Sequence, residues 1–269
     1  MRCKVKLLVV LTALVSLGLV ITACSGLQPA PPPEPDVVLI PAGEFTMGSD
    51  PGSDPYAFDD QQPQHTLYLP DYYLAKTPVT NAQYAAFVQA AGHDPPSHWD
   101  GGKPPSGKED HPVVNVTWHD AVAYGNWLAQ ATGKPYRLPS EAEWEKGARG
   151  SDGRIYPWGN QWDVARCNSR EGGKGDTTPV GAYPEGASPY GLLDMVGNVW
   201  ELTRSAYEVY PYDPEDGRED LEASDATRRT ARGGSFGDDQ RLVRCAFRTE
   251  IGPLARFRGT GFRVMLAPD

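Results

Sequence analysis

Residues 232–250 read RGGSFGDDQRLVRCAFRTE, a stretch that combines a glycine-rich turn, closely spaced arginines and a single thiol. Gly-Asp-Asp is an ordinary turn composition, so the stretch predicts an ordered loop rather than a helix. A free cysteine is usually buried as a small hydrophobic side chain. Cys245 is therefore expected to pack in the core, and the alternative is a reactive thiol that makes Cys245 a candidate catalytic residue.

The composition of the whole chain describes an ordered, loop-rich protein. The 269 residues are 39% hydrophobic and 22% charged, and they include 29 Gly, 26 Pro and seven Trp. Gly and Pro break regular elements where they cluster, so modest secondary structure around an aromatic core is expected. The formal net charge of -10 argues against sequence-independent binding of nucleic acid, because that binding requires Lys and Arg to displace counterions from phosphates.

The N-terminus has the pattern of a secretion signal. Arg2, Lys4 and Lys6 precede an apolar run that ends at residue 23, directly before Cys24. This ending resembles the lipobox of bacterial lipoproteins. The resemblance implies removal of a signal peptide at 1–23, acylation of Cys24, and a lipid anchor on the outer side of the cytoplasmic membrane or in the outer membrane. The alternative is an uncleaved signal anchor.

Two regions are expected to follow the signal peptide. Residues 24–36 are rich in Pro and cannot build a core, so they are expected to form an extended tether. Residues 37–269 contain no internal repeat or low-complexity tract and are expected to fold as one domain.

Three helices are predicted from capping boxes, in which Ser or Thr is followed three residues later by an acid or Gln. The boxes pair Thr80 with Gln83, Thr117 with Asp120, and Ser140 with Glu143. Alternating or apolar runs bounded by Gly and Pro predict short strands within 37–48, 65–75 and 260–267. The mixture indicates an α+β fold with long ordered loops.

Motifs along nearly the whole chain resemble those of the formylglycine-generating enzyme family, also called the sulfatase-modifying factor domain. They are VVLIPAGEFTMGS at 37–49, KTPVTNAQYAAFV at 76–88, HPVVNVTWHDAVAYGNWL at 111–128, YRLPSEAEWEKGARG at 136–150, YPWGN at 156–160, TTPVGAYPEGASPYGLLDMVGNVWELT at 177–203, RGGSF at 232–236 and GFRV at 261–264. The resemblance implies a C-type-lectin-like fold with few short strands and helices. This implication agrees with the composition.

The Gly-Gly-Ser motif bears on activity. In oxidase members of the family, two cysteines follow this motif, bind copper(I) and convert a sulfatase cysteine into formylglycine. Residues 236–244 contain no thiol, and Asp238 and Asp239 stand where the copper thiolates are expected. Hard carboxylates do not hold copper(I), so copper is not expected as a cofactor. The acidic pair forms either the floor of an altered pocket with Ser235 and Trp200, or a solvated turn.

Two other features near the C-terminus leave alternatives open. The nine arginines from Arg228 to Arg263 either present a site for an anionic ligand or pair with the abundant acids as structural ties. A disulfide between Cys167 and Cys245 is conceivable in an oxidising compartment, although spacing alone does not determine it.

The loop 194–202, DMVGNVWEL, is the candidate for a bound metal. The family resemblance implies a structural calcium site here, with Gly197, Asn198, Val199 and Glu201 at the matching positions. Calcium requires several oxygens, which backbone carbonyls and a carboxylate supply. For a second family calcium site, only Asn168 and Asp176 match. The alternative for the first site is a structural turn without metal.

Two functions follow from these features. The first is a surface-tethered binding or accessory module that holds a peptide, a glycan or an envelope protein, without copper-dependent activity. The second is an oxidoreductase, because the family resemblance extends to periplasmic members, such as those of pyoverdine maturation, that lack the copper cysteine pair. A deep groove lined by Trp200, Ser235 and Asp238 favours chemistry, whereas a filled or flat surface favours binding.

The five histidines have no zinc-binding spacing.

Overall fold

The computed structural model describes residues 32–268. The predicted signal peptide, the predicted lipidation site Cys24 and most of the predicted tether lie outside the described residues. Within 32–268, no helix is both long enough and apolar enough to cross a membrane.

The three α-helices in this region begin at the predicted capping boxes. They are α1 (Asn81–Ala91), α2 (Trp118–Thr132) and α3 (Glu141–Arg149), with Thr80, Thr117 and Ser140 as N-caps. In each helix, the N-cap hydroxyl accepts a hydrogen bond from the third helical N–H, and that residue's side chain accepts one from the N-cap N–H. Gly92 and Gly133 end α1 and α2 in the left-handed conformation. The helix predictions are confirmed.

Short strands form three sheets in the same region. The strands are β1 (Val37–Ile40), β2 (Gly43–Met47), β3 (His65–Leu69), β4 (Tyr72–Ala75), β5 (Tyr136–Arg137), β6 (Trp200–Ala206), β7 (Arg229–Arg232), β8 (Arg248–Ile251), β9 (Thr260–Gly261) and β10 (Met265–Leu266). One sheet has the order β1-β4-β10-β5, the second pairs β2 with β3, and the third has the order β8-β7-β6-β9. Long loops connect these elements, so the predicted α+β class is confirmed.

The third sheet differs from the sequence prediction. β6 begins at Trp200, inside the segment assigned to a metal-binding loop, and it continues to Ala206. β7 carries Arg229 and Arg232, whose side chains are buried. A strand that buries arginines has no apolar alternation, so the hydrophobic pattern of the sequence does not reveal it.

The buried arginines of this sheet pair with glutamates of α3. Arg232 lies 3.0 Å from Glu141 and also pairs with Glu145. Arg248 lies 2.7 Å from Glu141. A charge is stable in the interior only when it is paired and hydrogen-bonded. These contacts confirm that arginines of the 228–263 region serve as structural ties.

Cys245 lies in a core cluster with Cys167, Trp144 and Leu192, and it is fully buried. The prediction that Cys245 packs as a small hydrophobic side chain is confirmed. Both thiols are free, so the conceivable disulfide between Cys167 and Cys245 does not form.

The domain surface begins before the predicted boundary at residue 37. The Glu34 carboxylate accepts hydrogen bonds from Lys134 Nζ at 2.6 Å and from the Tyr136 hydroxyl at 2.9 Å. The Asp36 carbonyl accepts one from the Lys76 N–H at 2.8 Å. Residues 34–36 therefore lie against the domain and are not part of a free tether.

Candidate functional site

A cleft of about 420 Å³ opens beside the third sheet. Its lining comes from β6, β8, β9, the turn after Gly-Gly-Ser and the loop before β9, and consists of Trp200, Ser235, Phe236, Gly237, Asp238, Thr249, Glu250, Ile251, Phe257, Arg258, Gly259 and Thr260. The structure thus brings together Trp200, Ser235 and Asp238, three of the four candidate catalytic residues. The fourth, Cys245, is not part of this lining.

Ser235 and Asp238 form a closed polar turn in the cleft. The Asp238 Oδ2 atom accepts hydrogen bonds from the Ser235 hydroxyl at 2.7 Å and from the Ser235 N–H at 2.9 Å. The Ser235 Oγ atom in turn accepts from the Gly237 N–H at 3.2 Å. Asp238 therefore lines the cleft while its Oδ2 atom is held by Ser235. No histidine stands among the described lining residues to relay a proton from Ser235.

Gly259 brings the opposite wall close to this turn. A Cβ atom at position 259 would lie 3.2 Å from both Cβ and Oγ of Ser235. Contacts at that distance require the neighbouring group to shift, so a side chain at 259 would press on Ser235. The cleft therefore keeps its width at this point because residue 259 is a glycine, which has no side chain.

Asp239 has a structural role. Its carboxylate pairs with Arg170 at 2.5 Å and with Arg241 at 2.7 Å. The hydrogen bonds from Arg241 hold the pKa of Asp239 below its usual value. The two acids of the Gly-Asp-Asp sequence thus have different roles, because Asp238 lines the cleft and Asp239 stabilises the turn.

The thiols do not meet the requirement of copper(I). Burial raises the pKa of both Cys167 and Cys245 to about 12, so both are protonated thiols near neutral pH. Neither thiol lines the cleft. Within residues 32–268, no three His, Cys, Asp or Glu side chains converge to hold a metal. Copper(I) requires soft thiolate ligands, and the residues of this cleft do not fit that ion.

The predicted calcium ligand Glu201 is already bound to protein groups. Its carboxylate accepts from Arg263 Nε at 2.6 Å, from Arg263 Nη2 at 2.7 Å and from Trp144 Nε1 at 2.9 Å. The adjacent guanidinium also repels a cation. The Gly197 and Asn198 carbonyls accept hydrogen bonds from Val199 and Phe236 N–H groups. In this arrangement, the site predicted around Glu201 does not fit calcium.

The second predicted calcium position has one unused acceptor. The Asn168 Oδ1 atom is buried and has no hydrogen-bond partner, whereas Asn168 Nδ2 donates to the Asp176 carbonyl at 2.9 Å. The Asp176 carboxylate turns outward to Lys108 at 2.5 Å. Asn168 therefore fits a cation as a single oxygen ligand, and Asp176 would have to leave Lys108 to join it.

Comparison with known proteins agrees with the motifs. A sequence profile described as the sulfatase-modifying factor enzyme 1-like domain matches residues 25–268. The chain belongs to this family.

Curated relatives in the sulfatase-modifying factor family include several named enzymes. The formylglycine-generating enzyme of Thermomonospora curvata is 33% identical over 304 residues, covering 86% of this chain and 93% of that protein. The hercynine oxygenase of Mycolicibacterium smegmatis is 31% identical over 267 residues, covering 84% of this chain. The serine/threonine-protein kinase Pkn1 of Chlamydia trachomatis is 33% identical over 246 residues, covering 85% of this chain. The match spans only 60% of the hercynine oxygenase and 38% of the kinase.

Solved structures extend the agreement to the fold. PvdO from Pseudomonas aeruginosa superposes with a TM-score of 0.75 at 30% identity, covering 87% of this chain and 95% of PvdO. Treponema denticola variable protein 1 superposes with a TM-score of 0.72 at 24% identity, covering 86% and 95% of the two chains. The predicted fold of the sulfatase-modifying factor family is confirmed.

Two exposed lining residues, Glu250 and Phe257, were not singled out from the sequence, and a third, Arg258, was considered only as one of the nine arginines of 228–263. Glu250 is exposed on β8, Phe257 is exposed on the loop before β9, and the Arg258 guanidinium lies 5.2 Å from the centre of the Phe236 ring. The signal that could have indicated Phe257 and Arg258 is the alternation of apolar and basic residues in 254-LARFRG-259, a segment that does not include Glu250. Alternation of this kind normally indicates a half-buried strand, but this segment is an exposed loop.

Proposed function

We propose that this protein is a lipid-anchored, extracytoplasmic binding or accessory module of the sulfatase-modifying factor family, without copper-dependent formylglycine-generating activity. The cleft beside β8 is its ligand site. One observation carries this proposal: the positions expected for copper thiolates hold Asp238 and Asp239, which do not bind copper(I). The cleft itself is common to both candidate functions, because it keeps the volume of a ligand pocket. The scaffold is thus retained and the copper chemistry is lost.

The test of the activity claim is conversion of a sulfatase-type Cys-x-Pro-x-Arg peptide. The purified protein is incubated with the peptide, copper(I) and oxygen, and the peptide mass is followed. We expect no loss of mass, because Cys167 and Cys245 are buried and protonated. A mass loss corresponding to the aldehyde, abolished by Cys245→Ser, would make Cys245 catalytic and refute the claim.

The anchoring claim has a separate test. Cys24 should incorporate a radiolabelled fatty acid in the native host, and the protein should partition into the detergent phase. Cys24→Ala should abolish the labelling. A matched Cys167→Ala variant should keep it, since Cys167 is buried in the core. Labelling that persists in Cys24→Ala would contradict the lipid anchor.

An oxidoreductase is the second candidate. It is favoured by the same cleft, because Trp200, Ser235 and Asp238 line a groove rather than a flat surface, and by relatives with the printed names hercynine oxygenase and formylglycine-generating enzyme. The two candidates differ in one measurement. A binding module releases its ligand unchanged, whereas an oxidoreductase releases a product of altered mass and consumes oxygen or another electron acceptor.

A further inference from the structure

The cleft beside β8 carries charged side chains of both signs. Asp238 and Glu250 supply two carboxylates, and Arg258 supplies one guanidinium. None of the three makes an ion pair with any residue of 32–268. The Arg258 guanidinium instead lies over the Phe236 ring, 5.2 Å from its centre. A cation in the cleft would therefore meet a guanidinium, and an anion would meet two carboxylates, so the lining suits neither sign of charge alone.

These charges are also in contact with solvent. Glu250 and Arg258 are exposed, and the Asp238 Oδ2 atom already accepts two hydrogen bonds from Ser235, at 2.7 and 2.9 Å. Exposed charges are screened, and pairs between them contribute little to affinity. Hydrogen bonding and apolar contact, rather than charge, should therefore determine what the cleft binds.

The cleft presents several hydrogen-bonding groups that no other protein group satisfies. The Trp200 Nε1–H group and the hydroxyls of Thr249 and Thr260 make no hydrogen bond within the described part of the chain, and they reach solvent. The Asp238 Oδ1 atom and the Glu250 carboxylate are acceptors without a partner in the same part of the chain. A matching ligand must both donate and accept at several positions, and a hydroxyl group does both.

Two aromatic side chains stand beside these polar groups. Phe257 is 53% exposed, Trp200 is half-buried, and both line the cleft. The faces of aromatic rings pack against apolar groups. A sugar ring carries C–H groups on its faces and hydroxyls around its edge. Aromatic surface next to unsatisfied donors and acceptors is thus complementary to a saccharide.

The groups of the cleft are held in fixed positions. The Trp200 N–H donates to the Gly259 carbonyl at 2.8 Å, and the Thr260 N–H donates to the Phe257 carbonyl at 3.1 Å. The centre of the Trp200 ring lies 5.6 Å from that of the Phe247 ring. A site held in this way loses little conformational freedom when a ligand binds, which favours affinity.

We propose that the cleft beside β8 binds a neutral saccharide. This inference rests on the proposed function, because it names the ligand class of that site. The sugar ring packs on Trp200 and Phe257, and its hydroxyls donate to the carboxylates of Asp238 and Glu250 and accept from Arg258. The volume of about 420 Å³ lies within the roughly 300–1,000 Å³ of ligand sites. Acidic saccharides are disfavoured, because the lining holds two carboxylates and one guanidinium.

The test is a binding panel for the full-length chain held in phosphatidylcholine nanodiscs. The probes are neutral oligosaccharides of glucose, galactose, mannose and N-acetylglucosamine, an oligogalacturonate, free amino acids, and peptides rich in Lys or in Asp. Isothermal titration calorimetry measures each affinity. We expect a neutral oligosaccharide to bind, with an affinity that changes little with salt. Phe257→Ala and Glu250→Ala should each weaken it about tenfold, since each removes one contact group from an exposed position.

Matched controls separate the cleft from the surrounding surface. Leu254→Ala removes another exposed apolar side chain from the loop before β9, and Glu222→Ala removes another exposed carboxylate. Neither residue lines the cleft, so both variants should keep the native affinity, and thermal melting should show that every variant is folded. Equal weakening by the controls, or no binding of any neutral oligosaccharide, would overturn the inference. Tighter binding of the oligogalacturonate, an amino acid or a charged peptide would also overturn it.

One further variant keeps this inference distinct from the proposed function. Thr249→Trp fills the cleft from β8, a strand in which tryptophan is well tolerated. Loss of saccharide binding in this variant supports the inference, whereas retained binding refutes it. An amino acid or peptide that binds the native protein but not Thr249→Trp would support the cleft as a ligand site and refute the saccharide. A saccharide released with altered mass would refute the binding module and leave the ligand class standing.

Discussion

Replacement of Glu201 by Gln removes the charge from one of the most buried ion pairs of the protein. Glu201 is 1% exposed and Arg263 is fully buried. Their two hydrogen bonds, at 2.6 and 2.7 Å, form a bidentate pair. Arg263 also donates to the carbonyls of Ala75 and Leu193 at 2.9 Å. The variant would leave a buried guanidinium that is hydrogen-bonded but has no counter-charge.

The magnitude follows from this geometry. Removal of one partner of a buried pair costs about 3–5 kcal/mol. The lower end applies here, because the carbonyl contacts persist and a Gln oxygen can still accept from Trp144 Nε1. We therefore expect Glu201→Gln to lower the free energy of unfolding by about 3 kcal/mol, a large part of the usual 5–15 kcal/mol of a folded domain.

The assay is urea unfolding followed by tryptophan fluorescence, with and without a calcium chelator. Asp152→Asn is the control, because it breaks the largely exposed pair with Arg154 and should change the free energy of unfolding by less than about 1 kcal/mol. The double variant Glu201→Gln/Arg263→Met should lose less stability than the sum of the single variants, since the two side chains act on each other.

The calcium arm of this experiment decides between two roles of Glu201. If Glu201 only neutralises Arg263, the chelator leaves the effect of Glu201→Gln unchanged. If the chelator destabilises the native protein and Glu201→Gln removes that response, Glu201 is a calcium ligand and the ion-pair argument is wrong. A chelator effect that survives Glu201→Gln but disappears with Asn168→Ala would indicate the second position instead.

Three other predictions test buried groups. Burial raises the pKa of Asp194 from 3.8 to about 6, so the stabilising contribution of its neutral form is complete below pH 3.8 and is lost as the pH rises through about 6. Asp194→Asn should therefore stabilise the protein by about 2 kcal/mol at pH 8 but not at pH 4, as measured by urea unfolding at both values. Cys167 and Cys245 should resist alkylation by iodoacetamide at pH 8 until the protein unfolds, because both thiols are buried. Mass spectrometry of protein digests measures this labelling. Rapid labelling of the folded protein would contradict the burial of the two thiols. Gly186→Ala would place a methyl group 1.9 Å from the Arg166 carbonyl oxygen, so we expect a loss of about 3 kcal/mol in the same unfolding assay.

The sequence alone was sufficient for the features that depend on neighbouring residues. A capping box lies within four consecutive residues, so Thr80, Thr117 and Ser140 marked the starts of α1, α2 and α3 correctly. The ordered motifs of the family likewise identified the fold, because each is a short local pattern. The absence of a thiol between Gly233 and Arg244 was also readable directly, and it bears on activity independently of the fold.

Only the tertiary structure decided the features that depend on distant residues. Glu201 meets Arg263 and Arg232 meets Glu145 across separations of 62 and 87 residues. The local sequence around Glu201 suggested a metal ligand. The actual partner of Glu201 is Arg263, which lies near the C-terminus. The cleft is assembled from segments near residues 200, 235, 250 and 258, so neither its volume nor its rim can be deduced from any one of them. The physical reason is that a buried charge is stabilised by whichever opposite charge the fold brings near, and chain spacing does not encode that choice.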